Sequence, residues 1–297
     1  MPCYSPLTAY KCISGEIVFS EHKAGGDYYQ LQLPCGQCIG CRLERSRQWA
    51  IRCMHEAQMH KQNCWLTLTY DEEHVPKRGL NKEDYQNFLK RYRLKAWLEE
   101  GKKIRYYMCG EYGTENGRPH YHLCIFGHDF TDGYYWCNTP RGDRLYRSPT
   151  LEKLWTYGQA LIGDLTFDSA GYTARYCTTK VTGSNAEQHY RRVDENGEYQ
   201  LMPEFNAMSL KPGIGTEWYK KYRTDVYPRD YVVVNYHECK PPKYYDQLYE
   251  RDFPDEHEYM KEHRILKARE RWEDNTPERL KVKETVVRAK IKALKRD

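Results

Sequence analysis

From Cys64 to Tyr70 (CWLTLTY) apolar and polar residues alternate, and β-branched and aromatic types dominate, so this run predicts a strand. The turn-rich DEEHVPKRG follows. Spacing then becomes helical, with Asn81 placed as N-cap and Gly101 as the stop. Lys103–Glu111 (KIRYYMCGE) and His120–Gly127 (HYHLCIFG) return to strand patterning on either side of the loop YGTENGRP. A helix from about Arg42 to Lys61 precedes them. Downstream, residues 128–150 are polar and rich in Gly, Asp and Pro, which predicts an insertion or long loop. A short helix near Leu151–Tyr157, a strand at Ala160–Phe167 and a helix from Ala170 to Val181, capped by Ser169, come next. Residues 183–203 form a second polar, mobile excursion; Met208–Tyr222 restores order, and Asp230–Tyr236 is a late strand. After CKPPK the pattern is charged helix, over Asp255–Asp274 and Pro277–Lys295. Leu280, Val287, Ile291 and Leu294 line one face of the second.

This order predicts an α+β fold. The sheet is mostly antiparallel, because the connection from Glu111 to His120 is too short for a crossover helix, and helices cover one face. The chain divides into a Cys-rich segment over 1–60, an α+β domain over 61–237 and a charged helical extension over 238–297.

Composition narrows the setting. No run reaches the ~20 apolar residues of a membrane span, and the N-terminus lacks the profile of a secretion signal. The expected location is a cytoplasm with no membrane partner. Twelve cysteines in a reducing compartment point to metal binding before disulfides. The last 21 residues hold eight Lys or Arg against three acids, which accounts for the whole net charge of +5. A nucleic-acid surface in the rest of the chain must therefore be a local patch. Tyrosine is abundant, at 28 residues, so a motif containing tyrosine needs support from other residues.

Two stretches carry chemistry. His120 and His122 are two apart in a strand and share a face, and the hairpin brings Glu111 alongside. Two imidazoles and a carboxylate suit a divalent ion such as Mn2+ or Mg2+. Tyr172 and Tyr176 are four apart, one helical turn, with Lys180 continuing the row. A phenol, with pKa about 10, needs a metal or cation nearby to act as a nucleophile. Cys35, Cys38 and Cys41 form Cys-x-x-Cys-x-x-Cys. A structural Zn2+ with Cys3, Cys12 or Cys53 as fourth ligand, free buried thiols and an iron–sulfur cluster all stay open.

Taken together, WLTLTYDEEHVP, GEYGTENGRPHYHLCIFG and GYTARYCTTK resemble, in order and spacing, the three motifs of HUH-superfamily replication initiators. The paired tyrosines resemble the two-tyrosine branch of microviruses. PCGQCIGCRLERSRQWAIRC and MSLKPGIGTEWY are similar to segments of gokushovirus initiators, and the resemblance covers roughly residues 30–235. It implies an HUH/RRM-like sheet and a rolling-circle initiator that nicks and rejoins single-stranded origin DNA through a 5′-phosphotyrosine, in the cytoplasm of a bacterial host. It implies Glu111, His120 and His122 as metal ligands, Tyr172 and Tyr176 as nucleophiles, and Lys180 as a phosphate contact. Many single-tyrosine relatives carry that lysine three residues after the tyrosine, where this chain has Thr179. Thr67 and Thr69 fall in a motif that is mainly structural. No Gly-x-x-x-x-Gly-Lys-[Ser/Thr] loop occurs, so a host helicase and host polymerase are the expected partners. The rival readings are a non-catalytic single-strand-binding protein braced by zinc, and an HUH nuclease of a plasmid or transposon.

Overall fold

The structure, a computed structural model, describes residues 3–113, 116–175 and 180–293. It comprises two compact units, Met1–Arg45 with Asp255–Arg296, and Ser46–Pro254. In chain order the elements begin with β1 (Leu7–Cys12), β2 (Ile17–Val18), β3 (Tyr28–Leu33), α1 (Ile39–Ala57) and β4 (Asn63–Thr69). Then come α2 (Lys82–Glu100), β5 (Arg105–Tyr112), β6 (Pro119–Phe126), β7 (Tyr134–Asn138) and β8 (Arg144–Arg147). α3 (Pro149–Leu154), β9 (Ala160–Gly163), α4 (Phe167–Ala174), α5 (Ala186–Tyr190), β10 (Arg191–Asp194), β11 (Gly197–Gln200) and β12 (Phe205–Met208) follow. The chain continues through α6 (Thr216–Val226), β13 (Val232–Val234), β14 (His237–Cys239), α7 (Lys243–Asp252), α8 (Pro254–Arg269) and α9 (Pro277–Ala293).

The smaller unit holds a three-stranded antiparallel sheet in the order β2-β1-β3. The larger is built on a seven-stranded sheet in the order β12-β5-β6-β4-β9-β8-β7, antiparallel at every pairing. The α+β class and the antiparallel sheet are as the pattern predicts. α2 begins where expected: the Asn81 side chain accepts from the Glu83 N–H at 3.0 Å. Gly101, at φ 62°, ends it in the left-handed conformation that glycine adopts without penalty.

Strand alternation sends two sets of side chains to opposite faces. Leu66, Leu68, Met108, Tyr121, Leu123 and Ile125 pack with Phe88, Leu89 and Tyr92 of α2. Tyr107, Cys124 and Phe126 pack with Ala50, Cys53 and Ala57 of α1 and with Ala170 and Ala174 of α4. Each large apolar side chain buried this way contributes ~1.5–3 kcal/mol. Helices therefore lie on both faces, where the sequence predicts one. The second layer's buried helix positions are mostly small, Ala50, Cys53, Ala57, Ala170 and Ala174, which leave little mark in an apolar pattern. Ser46 Oγ donates to the Gly171 carbonyl at 3.0 Å, and a Cβ on Gly171 would sit 3.8 Å from that of Ala50. The small residues let α1 and α4 approach closely.

Several boundaries differ from the pattern, each for a local reason. α1 ends at Ala57, not Lys61, because Asn63 Nδ2 donates to the Ala57 and His60 carbonyls at 3.1 and 3.4 Å. Residues 128–150 contain the hairpin β7–β8 in place of a long loop. Residues 183–203 hold α5 and the ribbon β10–β11 in place of a mobile excursion. β12 is an edge strand absent from the sequence reading. Among the described residues the late strand, β13, pairs only with β14, through a two-residue turn at Asn235 and Tyr236 with φ 47° and 65°.

Candidate active site

The β5–β6 ladder sets Glu111 directly across from His120, and His122 lies two residues along the same face. One oxygen, Glu111 Oε1, is 3.3 Å from His120 Nε2 and 3.2 Å from His122 Nε2. The three donor atoms lie within 4.8 Å of one another. An ion with ~2.1 Å bonds to nitrogen and oxygen separates neighbouring ligands by roughly 3.0–3.4 Å, so the spacing fits a divalent ion.

The outer hydrogen bonds leave the inward nitrogens to the centre. His120 Nδ1 faces the Arg118 carbonyl at 3.1 Å, and a carbonyl only accepts, so the proton sits on Nδ1. Its Nε2 then directs a lone pair at the carboxylate, which calls for a cation or a second proton between them. His122 Nδ1 meets the Thr67 hydroxyl at 3.1 Å. Its Nε2 is buried, has no hydrogen-bond partner among the described residues, and lies 3.2 Å from Glu111 Oε1. An orphaned buried nitrogen beside a carboxylate is what a metal ligand set leaves without its metal. Burial opposes ionisation of Glu111, but the two imidazoles outweigh it and hold the carboxyl well below its ordinary range. Burial also lowers the His122 pKa, against the pull of Glu111, which favours the neutral ring that a metal requires.

α4 brings one phenol to this centre. Its N-cap is Thr166, not Ser169: Thr166 Oγ1 accepts from the Ser169 N–H at 3.2 Å, and Ser169 Oγ accepts from the Thr166 N–H at 2.8 Å. The reciprocal pair moves the helix start to Phe167. The Tyr172 ring then meets His122 edge-on, with centroids 4.9 Å apart and planes at 89°. Trp65 stacks on His122 at 4.9 Å with planes 6° apart, and its indole N–H donates to Thr173 Oγ1 of α4 at 2.9 Å. Trp65 thus ties the tyrosine helix to the histidine strand. Tyr176 lies outside the described residues, and Lys180 is half-buried in irregular chain.

Sequence reasoning assigned Trp65 no role and gave Thr67 a structural one. Alternation in WLTLT puts both on one face, but their register against β6 (Thr67 opposite His122) joins segments distant in the chain. Thr69, opposite His120, donates instead to the Gln159 carbonyl at 3.2 Å.

In the smaller unit Cys3, Cys35, Cys38 and Cys41 bring their sulfurs within 4.8 Å of one another. The Cys3 sulfur is 3.7 Å from that of Cys35 and 3.9 Å from that of Cys38. Cys3 is therefore the fourth member, while Cys12 donates to the Ala24 carbonyl and Cys53 is buried in the sheet core. Backbone N–H groups of Tyr4, Cys35 and Cys38 point at the sulfurs of Cys38, Cys3 and Cys35, at 3.3, 3.3 and 3.2 Å. Burial resists ionisation of Cys38, but the N–H groups of Tyr4 and Cys41 and the neighbouring Cys41 and Cys35 thiols bring it down to about 7. The eleven described cysteines form no disulfide.

A family model described as replication-associated protein ORF2/G2P matches residues 63–181, the stretch that carries β4 through α4. The chain is 36% identical over 260 residues to replication-associated protein VP4 of Bdellovibrio phage phiMH2K, covering 86% of this chain and 79% of the relative. It is 33% identical over 286 residues to replication-associated protein ORF2 of Spiroplasma virus 4, covering 89% and 86%. Replication-associated protein ORF4 of Chlamydia phage 1 is 27% identical over 245 residues, covering 79% and 58%. No solved structure matches. The chain belongs to this family of phage replication-associated proteins, the microvirus-type rolling-circle initiators.

Proposed function

We propose that the chain nicks and rejoins single-stranded DNA at a phage replication origin through a 5′-phosphotyrosine. The observation that carries this reading is the convergence of Glu111, His120 and His122 with the Tyr172 ring against His122. Mg2+ or Mn2+ held by those three ligands would polarise the scissile phosphate as a Lewis acid. The Tyr172 oxygen attacks phosphorus and loses its proton, the bond to the 3′ oxygen breaks, and that oxygen takes up a proton as a free 3′ hydroxyl. Rejoining reverses the exchange without ATP, because the phosphotyrosine keeps the energy of the broken link. Tyr176 serves as the alternate nucleophile, and Lys180 contacts phosphate. A host helicase and host polymerase act on the nicked origin, in the cytoplasm of the bacterial host. No helix among the described residues is long and apolar enough to cross a membrane.

The four thiols take a structural Zn2+. A tetrahedral ion with ~2.3 Å bonds to sulfur separates its ligands by roughly 3.75 Å, close to the 3.7 and 3.9 Å found here. This spacing favours one ion over a cluster, whose larger body spreads its sulfurs. The zinc braces the smaller unit and takes no part in the chemistry.

Incubation with a labelled origin oligonucleotide and Mn2+, read on a denaturing gel, tests the nuclease reading. The expected product is a covalent protein–DNA band whose modified residue maps to Tyr172 or Tyr176. Binding without any band favours the non-catalytic rival. The phage relatives favour a phage role over plasmid or transposon nicking.

A further inference from the structure

The β7–β8 hairpin leaves three consecutive aromatic residues in solvent at the edge of the main sheet. Tyr134, Tyr135 and Trp136 are 47, 55 and 51% exposed. Leaving such rings wet forgoes the gain of burial, and the charges around them narrow what covers them. Arg141, Arg144 and Arg147 lie within the same hairpin against one acid, Asp143. The Arg147 guanidinium, paired with Glu152 at 2.6 Å, also sits 4.7 Å from the Trp136 ring centre.

The ladder registers connect this edge to the metal centre. His122 is opposite Thr67, Thr67 is opposite Leu161, and Tyr134 is opposite Arg147. Tyr146 pairs with Ile162 on the face turned to α2, so its neighbour Arg147 turns the other way, onto the face of Leu161, Thr67 and His122. Tyr134 shares that face through its pairing with Arg147. One row of the sheet thus runs from a metal-ligand histidine to an arginine and then an exposed tyrosine. Four strand steps of ~4.8 Å put its ends roughly 19 Å apart.

We propose that Tyr134 and Trp136, with Arg147 between them, form a stacking platform for the single strand flanking the cut, the rings taking bases and the guanidinium taking a phosphate. This deepens the nuclease reading and rests on it. Rings beside a guanidinium, on a sheet row that leads to the metal centre, suit a flexible polyanion with flat bases, since stacking is tolerant of sequence and arginine adds phosphate contact.

Fluorescence anisotropy of the full chain with a fluorescein-labelled oligodeoxythymidine, with no divalent ion added so that no cleavage occurs, tests this. Tyr134→Ala and Trp136→Ala should each weaken binding about ten-fold, while Trp136→Phe keeps most of it. Mn2+ binding and the thermal midpoint should stay as in the parent. Binding by both alanine variants equal to the parent overturns the platform and leaves the nuclease reading standing. Failure of the parent itself to bind overturns both. Loss of self-association in the variants with unchanged DNA binding also overturns it, and assigns the edge strand to pairing with a second copy of the chain.

Discussion

Glu111 and His120 face each other across the β5–β6 ladder, with Oε1 of one 3.3 Å from Nε2 of the other. The hairpin register makes this pair, so replacing the carboxylate removes charge without disturbing the strands. Glu111→Gln should weaken Mn2+ binding by more than the ~10–100-fold typical of losing an outer partner. Calorimetric titration with Mn2+ checks it, and an unchanged affinity would remove Glu111 from the ligand set.

Thr67 and Thr69 separate a supporting role from a merely neighbouring one. Thr67 holds His122 Nδ1, whereas Thr69 spends its hydroxyl on a backbone carbonyl. Thr67→Val should cost about 10–100-fold in Mn2+ affinity, and Thr69→Val little. An unchanged affinity in the Thr67 variant would mean that the imidazole is oriented by packing alone.

If the two tyrosines alternate as nucleophiles, Tyr172→Phe and Tyr176→Phe should each retain a covalent adduct and the double variant none. The adduct persisting in the double variant would falsify the tyrosine assignment.

Purified protein should contain about one zinc per chain, a single tetrahedral site, by plasma mass spectrometry. Cys38→Ser should empty it and lower the thermal midpoint, while Cys53→Ala should keep the zinc. Full metal content in the Cys38 variant would remove Cys38 from the ligand set, and a parent free of zinc would restore the free-thiol reading.

His55 predicts acid sensitivity. Burial lowers its pKa from 6.5 to about 3, and its ring stacks on Trp218 with Nδ1 2.9 Å from the Tyr245 hydroxyl. Above pH 6.5 the ring is neutral folded or unfolded, and its contribution is whole. Below that the unfolded chain takes up a proton that the folded one refuses. Stability then falls by up to ~1.4 kcal/mol per pH unit until the folded ring also protonates. Melting curves between pH 7 and about 5 should slope less steeply for His55→Phe, and parallel slopes would count against a neutral buried ring.

The site was legible wherever chemistry depends on neighbours in the chain. Glu111, His120 and His122 belong to one hairpin, and their grouping follows from strand alternation and a short connection. The outer contacts were less legible. Trp65 and Thr67 reach His122 through pairing of β4 with β6, and many registers fit one alternating strand. The hairpin in 128–150 was hidden because Gly, Pro and Asp mark its turn as strongly as they mark a loop, and its exposed rings give no buried face to detect.

The chain by itself determined the α+β class, the antiparallel β5–β6 hairpin, the cap and stop of α2, and the histidine pair with its acid. These rest on local periodicity and turn chemistry, which act between residues close in sequence. Only the tertiary structure decided that helices cover both faces, that Cys3 joins the three clustered cysteines, and that Tyr172 lies edge-on to His122. Those contacts join residues far apart in the chain, and they are chosen by packing and register, which no short window of sequence encodes.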